Sequence, residues 1–195
     1  MNKSILYWAI PLGLLVLLGL NAVSSYNGFV ASEEGVDAAW ADVETQYQRR
    51  YDLIPNLVET VKGYADFEQG TLVAVTEARA AALGAMKNAG PDGDNAEFDR
   101  QNTVVSGALR GLLGYAEQYP DLKANANFRD LQAQLEGTEN RITVARTRYN
   151  EVVQVHNGKI RRFPARVWAG LFGFESKSYF ESTEAAATAP QVSFE

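Results

Sequence analysis

The stretch ILYWAIPLGLLVLLGLNAVSS, Ile5 to Ser25, has no charged side chain, and that constrains the chain more than any other feature. A helix that crosses a bilayer core needs about 20 apolar residues, and it must pair every backbone group within itself. Tyr7 and Trp8 stand at one edge of the run and Tyr26 at the other, where amphipathic rings prefer the interface. Pro11 and the glycines are tolerated in such a helix more readily than in a soluble one. A cleaved secretory signal is the competing reading, since Ala22-Val23-Ser24 offers small residues and Lys3 a positive start. The run is long for a signal core. Residues 1–25 are therefore expected to be a transmembrane signal-anchor, with the lipid bilayer as the chain's first partner.

Charge gives a direction. No Lys or Arg follows the run until Arg49, whereas Glu33, Glu34 and Asp37 come early. The positive-inside rule then leaves Lys3 and the amino terminus in the cytoplasm and the body on the outer side. The net charge of −6 and the pI near 4.9 leave no basic excess to neutralise phosphates, which argues against a nucleic-acid partner. There is no cysteine and a single histidine, His156. Disulfides, thiolate metal sites and multi-histidine metal sites are excluded.

Beyond the anchor the apolar residues recur at helical spacing. Val36, Trp40, Val43, Tyr47 and Ile54 form one stripe, which continues in register through Leu57, Val61, Tyr64, Val75, Ala78 and Ala82. Pro55 interrupts the pattern without a glycine or a polar loop. It is expected to kink one long helix rather than join two, with Asp52 capping the downstream half. The first clear loop is NAGPDGDN, Asn88 to Asn95. A second helix runs through Val105, Leu109, Leu112, Ala116 and Tyr119 and stops at Pro120. A third carries Phe128, Leu131, Leu135, Ile142, Ala145, Tyr149, Val152, His156, Ile160 and Phe163, broken only at Thr138. The fold class is all-α: a transmembrane helix followed by an elongated antiparallel, coiled-coil-like bundle over 26–163, with a short apolar helix and extended tail over 164–195.

Helix lengths add an expectation. A straight helix from Tyr26 to about Met86 measures about 90 Å, and one from Phe128 to Phe163 about 54 Å. The first would overhang the bundle and leave Phe29, Val36 and Trp40 only partly covered. A second copy would then cover them, which makes a homo-oligomer.

Two polar groups attract attention. Arg49, Arg50, Asp52 and Asn56 surround the proline, and Glu139, Asn140, Arg141, Arg146, Arg148, Tyr149 and Asn150 crowd the third helix. With no nucleophile and no phosphate-cradling glycine loop, they read as ion pairs that fix helix register. Arg50, Asp52, Glu139, Asn140 and Arg141 form the expected structural network, with Arg50 and Glu139 as partners. His156 reads as a packed imidazole with one hydrogen bond, and Tyr115, Tyr119 and Tyr149 as core aromatics. No catalytic residue, metal ligand, cofactor or small-molecule substrate is expected. RRFPARVWAGLFGF, Arg161 to Phe174, differs in kind. Pro164 can open a short helix, and Val167, Trp168, Leu171, Phe172 and Phe174 give it more apolar surface than its length needs. It is a lid, a subunit contact or an insertion into the membrane interface.

RRYDLIPNLVETVKGYA, TENRITVARTRYNEVV and FPARVWAGLFGF together resemble the LemA family of bacterial membrane proteins, from about Tyr26 to the C-terminal APQVSF. The resemblance implies a single-pass inner-membrane protein with a helical bundle and no established enzymatic activity. Some members resemble magnetosome proteins linked to membrane shaping. It also implies a short N-terminus outside the cell, opposite to the charge argument, and a tyrosine where this chain has His156. The expected role is a non-enzymatic, self-assembling membrane scaffold. The alternative is an accessory subunit that presents its bundle to another membrane complex, such as a protease or transport system.

Overall fold

The computed structural model describes residues 3–63, 69–93 and 95–180, with side chains from Trp8 onward. Helix is the sole regular structure among these residues: α1 (Lys3–Lys62), α2 (Gln69–Met86), α3 (Asn95–Ala116), α4 (Pro120–Ala124), α5 (Ala126–Arg161) and α6 (Ala165–Phe172). They make two compact units. The first contains Met1–Tyr47 with Arg141–Lys177, and the second Gln48–Asn140 with Ser178–Glu195. The strand-like TAPQVSFE lies outside the described residues.

α1 is a single helix of 60 residues in which the apolar run and the first body stripe are continuous. The helix is unbroken at Pro55, and no interruption marks the expected kink there. What the proline changes is the hydrogen bonding. It has no N–H, so the carbonyl four residues earlier, that of Tyr51, loses its helical donor. In the second unit the Nε of Arg79 on α2 donates to that carbonyl at 2.7 Å. Asp52 is not a cap. Its carboxylate accepts from Gln48 Nε2 at 2.8 Å.

The Arg79 contact also corrects the expected length of the first helix. Positions 51 and 79 of one straight helix would stand about 42 Å apart. Instead α1 ends at Lys62 and α2 doubles back. Gly63 and Gly70 bracket this junction, and Tyr64 of the predicted stripe lies outside the described residues. The stripe seemed to keep one register because each helix buries its own face: Leu57 and Val61 on α1, Leu72, Val75, Ala78 and Ala82 on α2. From Tyr26 to its end α1 measures about 55 Å, close to the length of α5. The overhang is absent. Phe29, Val36 and Trp40 are 2%, 0% and 9% exposed, covered by their own chain rather than waiting for a second copy.

Within the first unit α1 and α5 are antiparallel. Gly28 meets Lys159, Ser32 meets His156, Trp40 meets Tyr149, and Asp42 meets Arg148. The α5 stripe ends at Ile160, and Phe163 beyond it is exposed rather than buried. Thr138, the break in that stripe, is fully buried and gives its hydroxyl proton to the Gln134 carbonyl at 2.7 Å. In the second unit α2 packs along α3. The loop between them is closed by Asn95, whose amide bonds both the N–H and the carbonyl of Gly90. Gly93 is required there, because a Cβ would lie 2.6 Å from the Asn88 carbonyl oxygen. Pro120 opens α4, and Asn125 then caps α5 by accepting from Phe128 N at 3.2 Å. Tyr115 is exposed rather than in the core.

α6 follows Pro164 and ends at Gly173, whose φ of 78° is a left-handed value that glycine adopts without strain. That turn sends Phe174 back against Phe29 and Tyr26 in the first unit, at ring-centroid distances of 5.2 and 5.7 Å.

The proline and Arg79 should be energetically coupled. Arg79→Met is expected to cost about 1–3 kcal/mol, the penalty of an unpaired, partly buried carbonyl. In a Pro55→Ala background a backbone N–H returns to Tyr51, and the same change should cost less than half as much. Chemical denaturation of the full chain in detergent micelles measures both. Equal losses in the two backgrounds would disconnect Arg79 from the proline.

Candidate functional site

The second unit holds a connected set of buried polar groups around the proline. Arg50 is 4% exposed; its Nη2 donates to Ser106 Oγ at 2.7 Å and its Nη1 lies 3.3 Å from Glu139 Oε2. Ser106 passes its proton to the Asn102 carbonyl at 2.9 Å. The Asn102 side chain accepts from Tyr51 Oη at 2.7 Å and donates to the Phe98 carbonyl at 2.8 Å. α1, α3 and α5 are thereby joined side chain by side chain, and Arg79 adds α2 through the Tyr51 backbone. Of the five residues the sequence proposed for this network, Arg50 and Glu139 meet. Asp52, Asn140 and Arg141 are exposed.

Sequence reasoning missed Asn102, Ser106 and Arg79. Asn102 had a readable signal: it falls between Phe98 and Val105 on the buried face of α3, a polar interruption like Thr138. Arg79 has none in its own neighbourhood, because its target is a carbonyl that only Pro55 makes available.

A cavity of about 490 Å³ borders this network, lined by Arg50, Leu109, Leu113, Phe128, Leu135 and Glu139 among others. The Arg50–Glu139 pair borders it, Arg110, Glu117, Lys123, Gln132 and Glu136 add further polar lining, and Leu109, Leu113, Phe128 and Leu135 form its apolar part. Among the described residues no three His, Asp or Glu side chains gather as metal ligands would.

The first unit has its own seam. His156 is fully buried and makes two hydrogen bonds rather than one. Its Nε2 faces the Glu175 carbonyl at 3.1 Å, which only accepts, so the proton belongs on Nε2. Nδ1 lies 3.1 Å from Ser32 Oγ, whose hydroxyl also donates to the Phe29 carbonyl at 2.9 Å. Next to it Asn157 bonds both the N–H and the carbonyl of Lys177, and Lys177 Nζ reaches Glu33 at 2.6 Å. The segment after α6 is clamped to α1 and α5 through these contacts. The dense polar cluster predicted on α5 is dispersed: Arg146 goes to Tyr47 and Arg148 to Asp42.

α6 lies against the end of the apolar run. Trp168 Nε1 donates to Asn21 Oδ1 at 2.8 Å, and Phe172 meets Tyr26 edge-on at 5.3 Å. Ala169 packs with Phe29 and Ile160, while Val167 and Leu171 are 59% and 71% exposed. The helix that carries the apolar run is long and apolar enough to cross a membrane, and from Trp8 onward none of its apolar window is buried by the rest of the chain.

Residues 39–194 match the sequence profile of the LemA family. The chain belongs to this family. Among similar proteins are Magnetosome protein MamQ 2 of Paramagnetospirillum magneticum, 26% identical over 84% of this chain and 67% of the relative. Magnetosome protein MamQ of Magnetospirillum gryphiswaldense is 26% identical over 86% and 70%, respectively. Protein LemA of Metamycoplasma hominis is 23% identical over 92% and 78%. The family match begins at Ala39, so it includes the network around the proline, α6 and the α5 side of the first seam, but leaves out Ser32, Glu33 and the apolar run.

The two members of the Arg50–Glu139 pair should not be equivalent. Glu139 is half exposed, so Arg50→Met leaves a carboxylate that turns to water, at a cost of about 1–2 kcal/mol. Glu139→Leu leaves a buried guanidinium without its counter-ion and should cost about 3 kcal/mol. Denaturant unfolding of both variants reads the order, and the reverse order would refute it.

Proposed function

We propose that this protein is a membrane-anchored helical scaffold without catalytic activity, held by residues 1–25 in a bacterial inner membrane as a single span. The observation that carries the reading is the bare apolar run. Trp8, Leu12, Leu15 and Leu20 are 80%, 64%, 65% and 64% exposed. So much apolar surface on one helix needs a partner, and a bilayer supplies one over the whole length. The interior of the body supports the non-catalytic part. Its buried Arg, His, Asn and Tyr groups are bonded to one another or to backbone, in the manner of groups that hold helices in register.

The reading includes assembly with copies of the same chain and a role in membrane organisation, which the relatives named as magnetosome proteins support. Burial of Phe29, Val36 and Trp40 removes the soluble stripe as the contact between copies. Assembly would then run through the membrane segment or the surface beside it. We read the body as lying outside the cytoplasm, since Lys3 precedes the apolar run and no Lys or Arg follows it before Arg49.

Alkaline carbonate extraction tests the anchor. The full chain should stay with the membrane, and Leu14→Lys with Leu17→Lys should release most of it, since each central lysine costs about 3 kcal/mol of insertion. Release of the unaltered chain would refute the anchor. Size in mild detergent then tests the assembly: a multiple of the 21.4 kDa chain supports the scaffold, and a single copy with a co-purifying membrane complex supports an accessory subunit instead.

A further inference from the structure

We propose that α6, with Phe163 before it, is a second membrane contact: a short wedge lying in the headgroup region of an anionic lipid surface beside the transmembrane anchor. The inference rests on the anchor reading above.

Depth comes first. At 1.5 Å per residue, Ile5–Ser25 spans about 31 Å, so Ser25 stands at the edge of the hydrocarbon. Asn21 is one turn inside that edge, about 6 Å deep. Trp168 is hydrogen-bonded to Asn21, and Phe172 packs on Tyr26. α6 is thus held at the level where an interfacial helix lies, about 5–10 Å into the headgroup and acyl boundary. A tryptophan whose ring stacks on Phe172 and whose N–H is bonded suits that level.

The faces of α6 come next. Ala165 and Ala169, one turn apart, point into the first unit against Phe29 and Ile160. Trp168 and Phe174 pack there as well, and these contacts complete a lid. They leave Phe163, Val167 and Leu171, again at four-residue steps, 85%, 59% and 71% exposed. A lid does not need an apolar outer face. That outer face stands at the same level as Leu20 and Val23 of α1, themselves 64% and 60% exposed. On the anchor reading Leu20 and Val23 face lipid, so the surface that α6 adds is continuous with the one lipid already covers.

Charge selects the headgroup. Arg161, Arg162 and Arg166 are exposed around Phe163, and Lys159 sits at Gly28. On α1 the first carboxylates after the apolar run are Glu33, which pairs with Lys177, and Glu34. Glu175, just after α6, lies near Arg161 and Arg166, but the three arginines and Lys159 outnumber it, so the level of α6 is basic in a chain that is acidic as a whole, which matches an anionic lipid surface.

The chain lacks cysteine, so one engineered thiol gives one label. Full-length Leu171→Cys, Leu15→Cys and Val144→Cys variants are labelled with an environment-sensitive fluorophore. Each is reconstituted into vesicles of equal parts phosphatidylglycerol and phosphatidylcholine that carry nitroxide at a shallow or a deep acyl position. The wedge requires strong quenching at position 171 by the shallow nitroxide, at position 15 by the deep one, and none at position 144. An Arg161→Gln, Arg162→Gln, Arg166→Gln background should lower the shallow quenching at 171 at least about twofold, and omission of phosphatidylglycerol should do the same. No quenching at 171 with normal quenching at 15 overturns the wedge and leaves the anchor intact. A blue-shifted but unquenched label at 171 also overturns it, in favour of a protein neighbour. No quenching at 15 removes the anchor and the wedge together.

Discussion

The carbonyl of Tyr51 has no helical donor, because the residue four positions on is proline, and much of the second unit follows from that vacancy. A partly buried carbonyl left unpaired costs as much as a hydrogen bond is worth, so something must reach it. Arg79 does, and to do so α2 must return along α1 rather than extend it. The same turn of α1 presents Arg50 to Ser106 and Glu139, and the Tyr51 hydroxyl to Asn102. One missing N–H is thus surrounded by bonds to every long helix of that unit. The stretch from Arg49 to Asn56 joins α1 to α2, α3 and α5 through these bonds, and its Arg50 also borders the cavity of that unit.

Much of this was legible in the sequence because the physics is local. An uncharged apolar run, 3.6-residue stripes, a Gly/Pro/Asp loop at Asn88–Asn95 and a proline stop at Pro120 each leave a pattern within a few residues. The Arg50–Glu139 pair was readable too, since a charged residue at the edge of an apolar stripe needs a counter-charge on the facing helix. The first misreading came from treating register as proof of continuity. Two helices that each bury a stripe can be in phase by chance, and Gly63 with Gly70 was the signal that outweighed the phase. The false overhang and the exposed Phe29–Trp40 stripe both descended from that one error.

The seam in the first unit was not legible for a different reason. Asn157 and His156 find their partners in backbone groups of Lys177 and Glu175, about 20 residues away in chain and across the turn at Gly173. Backbone acceptors have no residue identity, so no spacing in the sequence points to them. The polar residues on the buried faces can only be recognised as demands: Ser32, Thr138 and His156 each announce that a partner must exist, without saying which.

These demands are all met inward, and that directs attention to what is left outside. Away from the anchor and α6, the large exposed apolar side chains among the described residues are Val73 on α2, Val104 and Tyr115 on α3, Val144 and Val155 on α5, and Tyr179. Along α3 and along α5 the two are separated by about three helical turns, so neither helix carries a patch of its own. The anchor and α6, by contrast, place their bare apolar residues side by side at Asn21–Tyr26, with arginines on one flank. On the reading proposed above, that level is where the chain meets the membrane.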